Sequence, residues 1–133
     1  MELSLSTSYA LRALANLAQS PRGPAPLGAI AQAAGAPEHF LPTVLHLLTQ
    51  AGILAVREGP KGGYRLARPA HRITLLEVVE AVESPIRGEA PPTEGKTDEA
   101  VLERINEVCE RVARQTRRKL GRVTIAELAG KRR

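Results

Sequence analysis

The segment 54–69, LAVREGPKGGYRLARP, places GPKGG between two short runs of β-forming residues. A glycine-rich turn between strand-like runs predicts a β-hairpin. Glycines at the tip allow positive φ and let the backbone approach another surface closely. Between residues 57 and 72 the chain has five basic residues and one acidic residue, Glu58. We therefore predict a hairpin with a cationic surface, formed by Arg57, Lys61, Arg65, Arg68 and Arg72.

Two short helices separated by a glycine precede the hairpin. The Ala-rich run 27–34 has helical spacing, and Gly35 is placed to end it in the left-handed conformation. A second helix is predicted over roughly 38–51. Because proline is tolerated only in the first turn of a helix, Pro42 implies that this helix begins near His39. Two such helices followed by a basic hairpin indicate a winged helix-turn-helix, whose second helix can enter the major groove of DNA.

An amphipathic helix is also predicted at the start of the chain, over 5–19. Its first residues carry hydroxyl groups, and we expect Ser6, Thr7 or Ser8 to cap it. Ser6 and Thr7 are in addition candidate donors of hydrogen bonds to DNA phosphates.

Two capping boxes follow the hairpin. In ITLLEVVEA, Thr74 can accept a hydrogen bond from the N–H of Glu77, whose carboxylate can reach back to the cap. VTIAEL repeats this pattern with Thr124 and Glu127. Each box predicts the start of a helix.

A long helix is predicted over about 98–120, after a segment rich in proline, glycine and charge. Its apolar positions form one narrow stripe, and the rest of its surface is nearly all charged, which favours packing against a partner helix. The stripe consists of Val101, Leu102, Ile105, Val108, Cys109, Val112, Thr116 and Leu120. We therefore divide the chain into a winged helix-turn-helix domain (1–83), a flexible linker (84–97), and a C-terminal part (98–133) with a dimerisation helix, a short capping helix and a basic tail.

Composition excludes several classes of protein. The formal net charge is +5, and residues 111–133 hold nine basic residues against one acid, which suggests a polyanionic partner. No run of 18 apolar residues and no secretory pattern at the N-terminus are present, so we expect a cytoplasmic protein without a membrane partner. No catalytic arrangement stands out, and GPKGG lacks the spacing of a phosphate-binding loop, so we do not expect an enzyme.

Four segments of the chain resemble one known family: LSTSYALRALANLA, PLGAIAQAAGAPEHFLPTVLHLLTQAGIL, GPKGGYRLARPAHRITLLEVVEAVE and VTIAEL. They are similar to the Rrf2 family of bacterial regulators, which includes the iron–sulfur cluster regulator and the nitric-oxide-sensing repressor. The resemblance covers 3–83 and 98–128, and the hairpin block is its most specific part. It implies a dimeric winged-helix transcription regulator whose long helix crosses its partner, and whose recognition helix and wing contact DNA.

The chain departs from this family where some members bind an iron–sulfur cluster through three closely spaced cysteines. The corresponding stretch, SPIRGEAPPTEGKTDEAVLERINEV, contains no cysteine. Cys109, the single cysteine, lies beyond the last of those positions, and Ser8 stands where some members have an acidic ligand. His39, His46 and His71 do not have a metal-binding spacing either. We therefore expect no cofactor and no metal.

These observations predict a homodimeric, sequence-specific DNA-binding regulator that acts as a repressor on related half-sites about one helical turn apart. The candidate residues of the recognition helix are His39, Thr43, His46 and Gln50, and those of the wing are Arg57, Gly59, Lys61, Gly62, Gly63 and Arg65. Many members have arginine before the Gly-Pro of the wing, where this chain has Glu58.

Two alternatives stay open at this stage. One is a regulator gated by a small ligand or by oxidation of Cys109, which two nearby arginines favour as a thiolate only if the thiol is exposed. The other is a protein-interaction module that kept the fold and lost DNA binding. Glu58 and the near-neutral charge of residues 1–83, with seven basic and six acidic residues, support this second alternative.

Overall fold

The computed structural model describes residues 1–19, 23–91, 93–96 and 98–130. The elements in these ranges are α1 (Leu5–Gln19), α2 (Leu27–Ala34), α3 (Leu41–Gln50), β1 (Leu54–Arg57), β2 (Gly63–Leu66), a 3-10 helix (Ala70–Arg72), α4 (Leu75–Val82), α5 (Glu99–Leu120) and α6 (Ile125–Leu128). The predicted class is confirmed: a mainly helical fold with a two-stranded wing and a long C-terminal helix.

Helix α1 has the predicted bounds but a different cap. The N–H of Thr7 donates to the hydroxyl of Ser4 over 3.2 Å, so Ser4 caps the helix and the prediction of Ser6, Thr7 or Ser8 is wrong. The helix starts at Leu5, two residues earlier than a cap at Ser6 would allow. Its apolar face, which includes Leu14 and Leu17, lies in the core.

The helix-turn-helix is formed by α2 and α3. Gly35 has a φ of 67° at the end of α2, and the N–H of Ala36 donates to the carbonyl of Ala31 over 2.9 Å, as expected for a left-handed helix end. Helix α3 begins at Leu41, two residues after the predicted start. Pro42 lies in its first turn, as expected, where the missing N–H has no helical partner to lose.

The last part of the chain completes the core of the winged helix. Thr74 and Thr124 cap α4 and α6, each accepting from a glutamate N–H over 3.2 Å. The two caps are paired: the N–H of Leu75 donates to the carbonyl of Val123, and the N–H of Ile125 donates to the carbonyl of Ile73. Helix α6 therefore packs on α1 and the 3-10 helix, and Ile125 is fully buried.

Helix α5 divides its apolar residues between two faces. Asp98 caps it, accepting from the N–H groups of Ala100 and Val101. Near its C-terminal end, Ala113 and Leu120 are buried, and the helix contacts α4. The other face is between 44% and 55% exposed, and we call its residues the α5 stripe: Val101, Ile105, Val108 and Val112. The predicted single stripe is thus split, and only half of it lacks cover in one chain.

The described part of segment 84–97 has no regular structure and runs beside α5. The N–H of Ala90 donates to the side-chain oxygen of Asn106 over 2.7 Å. A Cβ on Gly88 would lie 2.3 Å from the carbonyl carbon of Cys109, so only glycine fits there. The flexibility of this segment stays a prediction.

Candidate nucleic-acid interface

The outer face of α3 is a polar stripe beside the wing. Thr43, His46 and Gln50 are exposed on it, and His39 is exposed in the turn just before the helix. Spacings of three and four residues place Thr43, His46 and Gln50 on one side of α3, and His39 lies outside the helix, four residues before Thr43. The opposite side is buried, because Leu41, Val44, Leu45 and Leu48 pack into the core. Helix α3 therefore presents its polar candidates together to the outside.

The two arginines of the wing strands share one face of the hairpin. The register pairs Ala55 with Arg65 and Arg57 with Gly63. Because directly opposed residues point to the same side and side chains alternate along a strand, Arg57 and Arg65 are diagonal neighbours. Both are exposed, and Lys61 is exposed at the tip between them. The structure thus places Arg57 and Arg65 on one face of the wing and leaves Lys61 exposed at its tip.

The glycines of the wing are explained by packing within the protein. Gly59 has a φ of 103°, and its carbonyl accepts from the N–H of Gly62 over 3.0 Å, closing the turn. A Cβ on Gly62 would lie 2.0 Å from the carbonyl oxygen of Arg57. A Cβ on Gly63 would lie 2.3 Å from the carbonyl oxygen of Ala25. Contact of these three glycines with DNA stays a prediction.

Ala25, in the α1–α2 loop, pairs with strand β2 of the wing at Tyr64. The N–H of Tyr64 donates to the carbonyl of Ala25 over 2.8 Å, and the N–H of Ala25 donates back over 2.9 Å. The wing is therefore extended by one residue pair of a third chain segment. Gly63 permits this approach because any larger residue would overlap with Ala25.

Replacing Gly63 with alanine is expected to break this contact. The new Cβ collides with the backbone of Ala25, and overpacking of this kind costs about 1–3 kcal/mol. Chemical denaturation should show a lower free energy of unfolding. Gly95→Ala is the control, because a Cβ on Gly95 meets no atom within 4 Å. Equal stability of the two variants contradicts the steric role of Gly63.

Thr7 does not fit its predicted role as a phosphate donor. Its side chain is fully buried, and its hydroxyl donates to the carboxylate of Glu83 over 2.5 Å. The same hydroxyl accepts from Ser4 over 3.1 Å. It therefore joins the start of α1 to the end of α4, and the prediction for Thr7 is corrected. Ser6 is partly exposed, and its role stays a prediction.

Arg68 is a residue whose role the sequence did not reveal, since it was counted only as part of the cationic surface. Its guanidinium donates to the carbonyls of Gly52 and Arg72 and forms an ion pair with Glu77. The capping box predicted that the carboxylate of Glu77 reaches back to the cap at Thr74. In the structure this carboxylate binds Arg68 instead. The carbonyl of Arg72 is only four residues away, but Gly52 and Glu77 are 16 and 9 residues from Arg68, and no spacing in the sequence relates them to it.

The geometry defines a winged helix-turn-helix with a cationic wing, joined to a long helix that exposes an apolar stripe. The chain belongs to the Rrf2 family, because the model of that family, described as "Iron-dependent Transcriptional regulator", matches residues 3–131. Members of this family are transcriptional regulators and not enzymes.

Named relatives support this assignment. The chain is 41% identical over 83 residues to Protein aau3 of Rhizobium meliloti, covering 62% of this chain and 54% of that protein. It is 34% identical over 99 residues to the HTH-type transcriptional regulator IscR of Vibrio campbellii, covering 74% of this chain and 58% of that protein. The chain thus spans little more than half the length of these curated relatives.

Solved structures agree with the fold over nearly the whole chain. CymR, the global cysteine regulator of B. subtilis, has a TM-score of 0.75 at 26% identity, covering 98% of this chain and 97% of that one. T. potens IscR has a TM-score of 0.74 at 27% identity, covering 98% and 87%.

The residues present do not fit an iron–sulfur cluster held by three cysteines. The chain has one cysteine, Cys109, which is partly buried in the middle of α5. Within the described ranges, no three His, Cys, Asp or Glu side chains come together in a way that would hold a metal ion. Among the same residues, no helix is both long enough and apolar enough to cross a membrane.

Proposed function

We propose that the protein is a homodimeric, sequence-specific DNA-binding transcription regulator that acts as a repressor in the cytoplasm and needs no iron–sulfur cluster. The observation that carries this proposal is the polar stripe of α3 next to the cationic face of the wing. Strand β1 contacts α3, so the wing begins directly beside this helix. A groove-binding helix beside a cationic hairpin matches the shape and charge of duplex DNA.

Each part of this surface has its own task in the proposal. Thr43, His46 and Gln50 read base edges in the major groove, where hydroxyl, imidazole and amide groups can donate or accept hydrogen bonds. Arg57, Lys61 and Arg65 neutralise phosphates or enter the minor groove, which fixes the position of the helix on the duplex. In the same proposal, His39 and Ser6 make further polar contacts to DNA.

Dimerisation through the α5 stripe is the second part of the proposal. Its residues follow a spacing of four, three and four, which is the a/d pattern of helices that pack in pairs. A two-fold dimer presents two copies of the DNA-binding surface, so the operator should contain two related half-sites.

Lys61→Ala tests the wing. Each lysine that contacts a phosphate contributes about one unit to the slope of log K against log salt, so a dimer with two wings should lose about two units. Binding to all duplexes should weaken, because a phosphate contact reads no sequence. The measurement is fluorescence anisotropy over a salt series, with duplexes first selected from genomic fragments by the purified protein.

Lys96→Ala is the matched control, because Lys96 is also an exposed lysine but lies outside the wing. Its slope of log K against log salt should equal that of the unsubstituted protein. Unchanged binding by Lys61→Ala contradicts the wing assignment. A folded dimer that binds no genomic fragment at all favours the interaction module instead.

A further inference from the structure

The side chain of Arg68 links the two ends of the wing to α4, beside the backbone hydrogen bond from Ala67 to Ile53 and the buried side chain of Leu54. We propose that Arg68 and Glu77 are positioning residues: they set the orientation of the wing relative to α3 and do not themselves touch DNA. This inference rests on the proposed function, since it concerns how the wing is aimed at the duplex.

Each nitrogen of the Arg68 guanidinium has one partner within the protein. Nε donates to the carbonyl of Gly52 over 3.3 Å, and Nη1 donates to the carbonyl of Arg72 over 3.1 Å. Nη2 forms the ion pair with Glu77. A planar fork with donors in fixed directions holds three partners in one geometry, which a lysine ammonium does not reproduce.

The partners of Arg68 lie on chain segments on both sides of the hairpin. Gly52 lies between α3 and β1, where the chain enters the wing, and Arg68 lies just after β2, where the chain leaves it. Glu77 is in the first turn of α4, whose cap is paired with that of α6. Arg68 therefore connects the residues at the entry and exit of the hairpin with the first turn of α4.

Most of the side-chain surface of Arg68 and Glu77 is covered, but 37% of each remains exposed. Ion pairs at such surfaces contribute little to the free energy of unfolding. Loss of this pair should therefore alter the direction of the wing more than the stability of the fold. Strand β2 stays paired with β1 and, through Tyr64, with Ala25, so the hairpin itself is expected to remain formed.

Charge and position predict opposite effects at Glu77. If only charge mattered, Glu77→Gln would strengthen DNA binding, because it removes a negative charge near phosphates. If Glu77 positions the wing through Arg68, the same change weakens binding, because the wing phosphate contacts are lost. Glu58→Gln is the matched control: it makes the same chemical change at the exposed wing tip and should strengthen binding.

The experiment uses the full chain as a dimer, with the selected operator duplex, in fluorescence anisotropy over a salt series. We expect Glu77→Gln and Arg68→Lys each to weaken binding about tenfold and to lower the salt slope by one to two units. Arg68→Lys keeps the charge, so a lower slope reports displaced contacts and not a lost cation. Circular dichroism at the assay temperature should show that both variants are folded.

A double variant separates positioning from simple loss of stability. If the wing has moved, Lys61 no longer reaches its phosphate, so Lys61→Ala should have almost no further effect on the Glu77→Gln background. Two outcomes overturn the positioning role and leave the proposed function intact. One is full additivity of the two changes. The other is unchanged or tighter binding by Glu77→Gln while Lys61→Ala alone weakens binding. No effect of Lys61→Ala alone removes both the wing contact and the inference.

Discussion

Ile105→Glu, a charge in the middle of the α5 stripe, is expected to convert the protein to a monomer and to lower operator affinity by at least about 100-fold. Ile105 is 44% exposed in one chain and would be covered in a paired helix. A carboxylate in such an apolar contact loses its hydration without a partner, which is costly. The monomer then binds one half-site and loses the gain from two linked contacts. Light scattering and gel-shift assays measure the two effects.

The control for this prediction is Ala100→Glu, which adds the same charge to an exposed residue of α5 outside the stripe. It should stay dimeric and bind normally. Because Ile105 is 44% exposed and lies outside the hydrophobic core, the circular dichroism of Ile105→Glu should show an intact winged helix. A dimer with unchanged operator affinity would show that α5 does not pair through this stripe.

The elements that sequence reasoning located correctly are those determined by local chemistry. Gly35 ends α2 because few other residues take its backbone conformation, and GPKGG forms a turn for the same reason. Thr74 caps α4 because its hydroxyl needs only a group three residues ahead. The polar stripe of α3 follows from helical spacing once Pro42 sets the start of the helix. Such signals are readable because both partners are neighbours in the chain.

The features that sequence reasoning missed depend on groups far apart in the chain. Thr7 was assigned to the surface, yet the end of α4 covers it and supplies Glu83 as a partner. Arg68 looks like any other wing cation until Gly52 and Glu77 are placed beside it. The apolar residues of α5 form one stripe in the sequence, and only the contacts of α5 with α4 and with segment 84–97 show which half is already covered.

Ending the chain after Arg122 is expected to unfold the winged helix, although α6 lies about 40 residues beyond residue 83. Ile125 is fully buried in the same core as α1, and truncating a buried isoleucine to alanine alone costs about 2–5 kcal/mol. Removal of α6 also breaks the pairing of Val123 with Leu75 and the hydrogen bond from Gln19 to Ala129. This loss is a large part of a typical stability of about 5–15 kcal/mol.

Thermal unfolding followed by circular dichroism tests this prediction. The control chain ends after Gly130, which keeps α6 and lacks only the last three residues, and it should melt like the full chain. Ile125→Ala should lie between the two, because it removes the buried side chain and keeps the backbone pairing. If the chain ending at Arg122 melts cooperatively at the same temperature as the control, residues 1–83 hold their core without α6. In that case α6 would not anchor the C-terminal end of α5 to the winged helix. The contact between α4 and α5 alone would then set the spacing of the two DNA-binding surfaces in the proposed dimer.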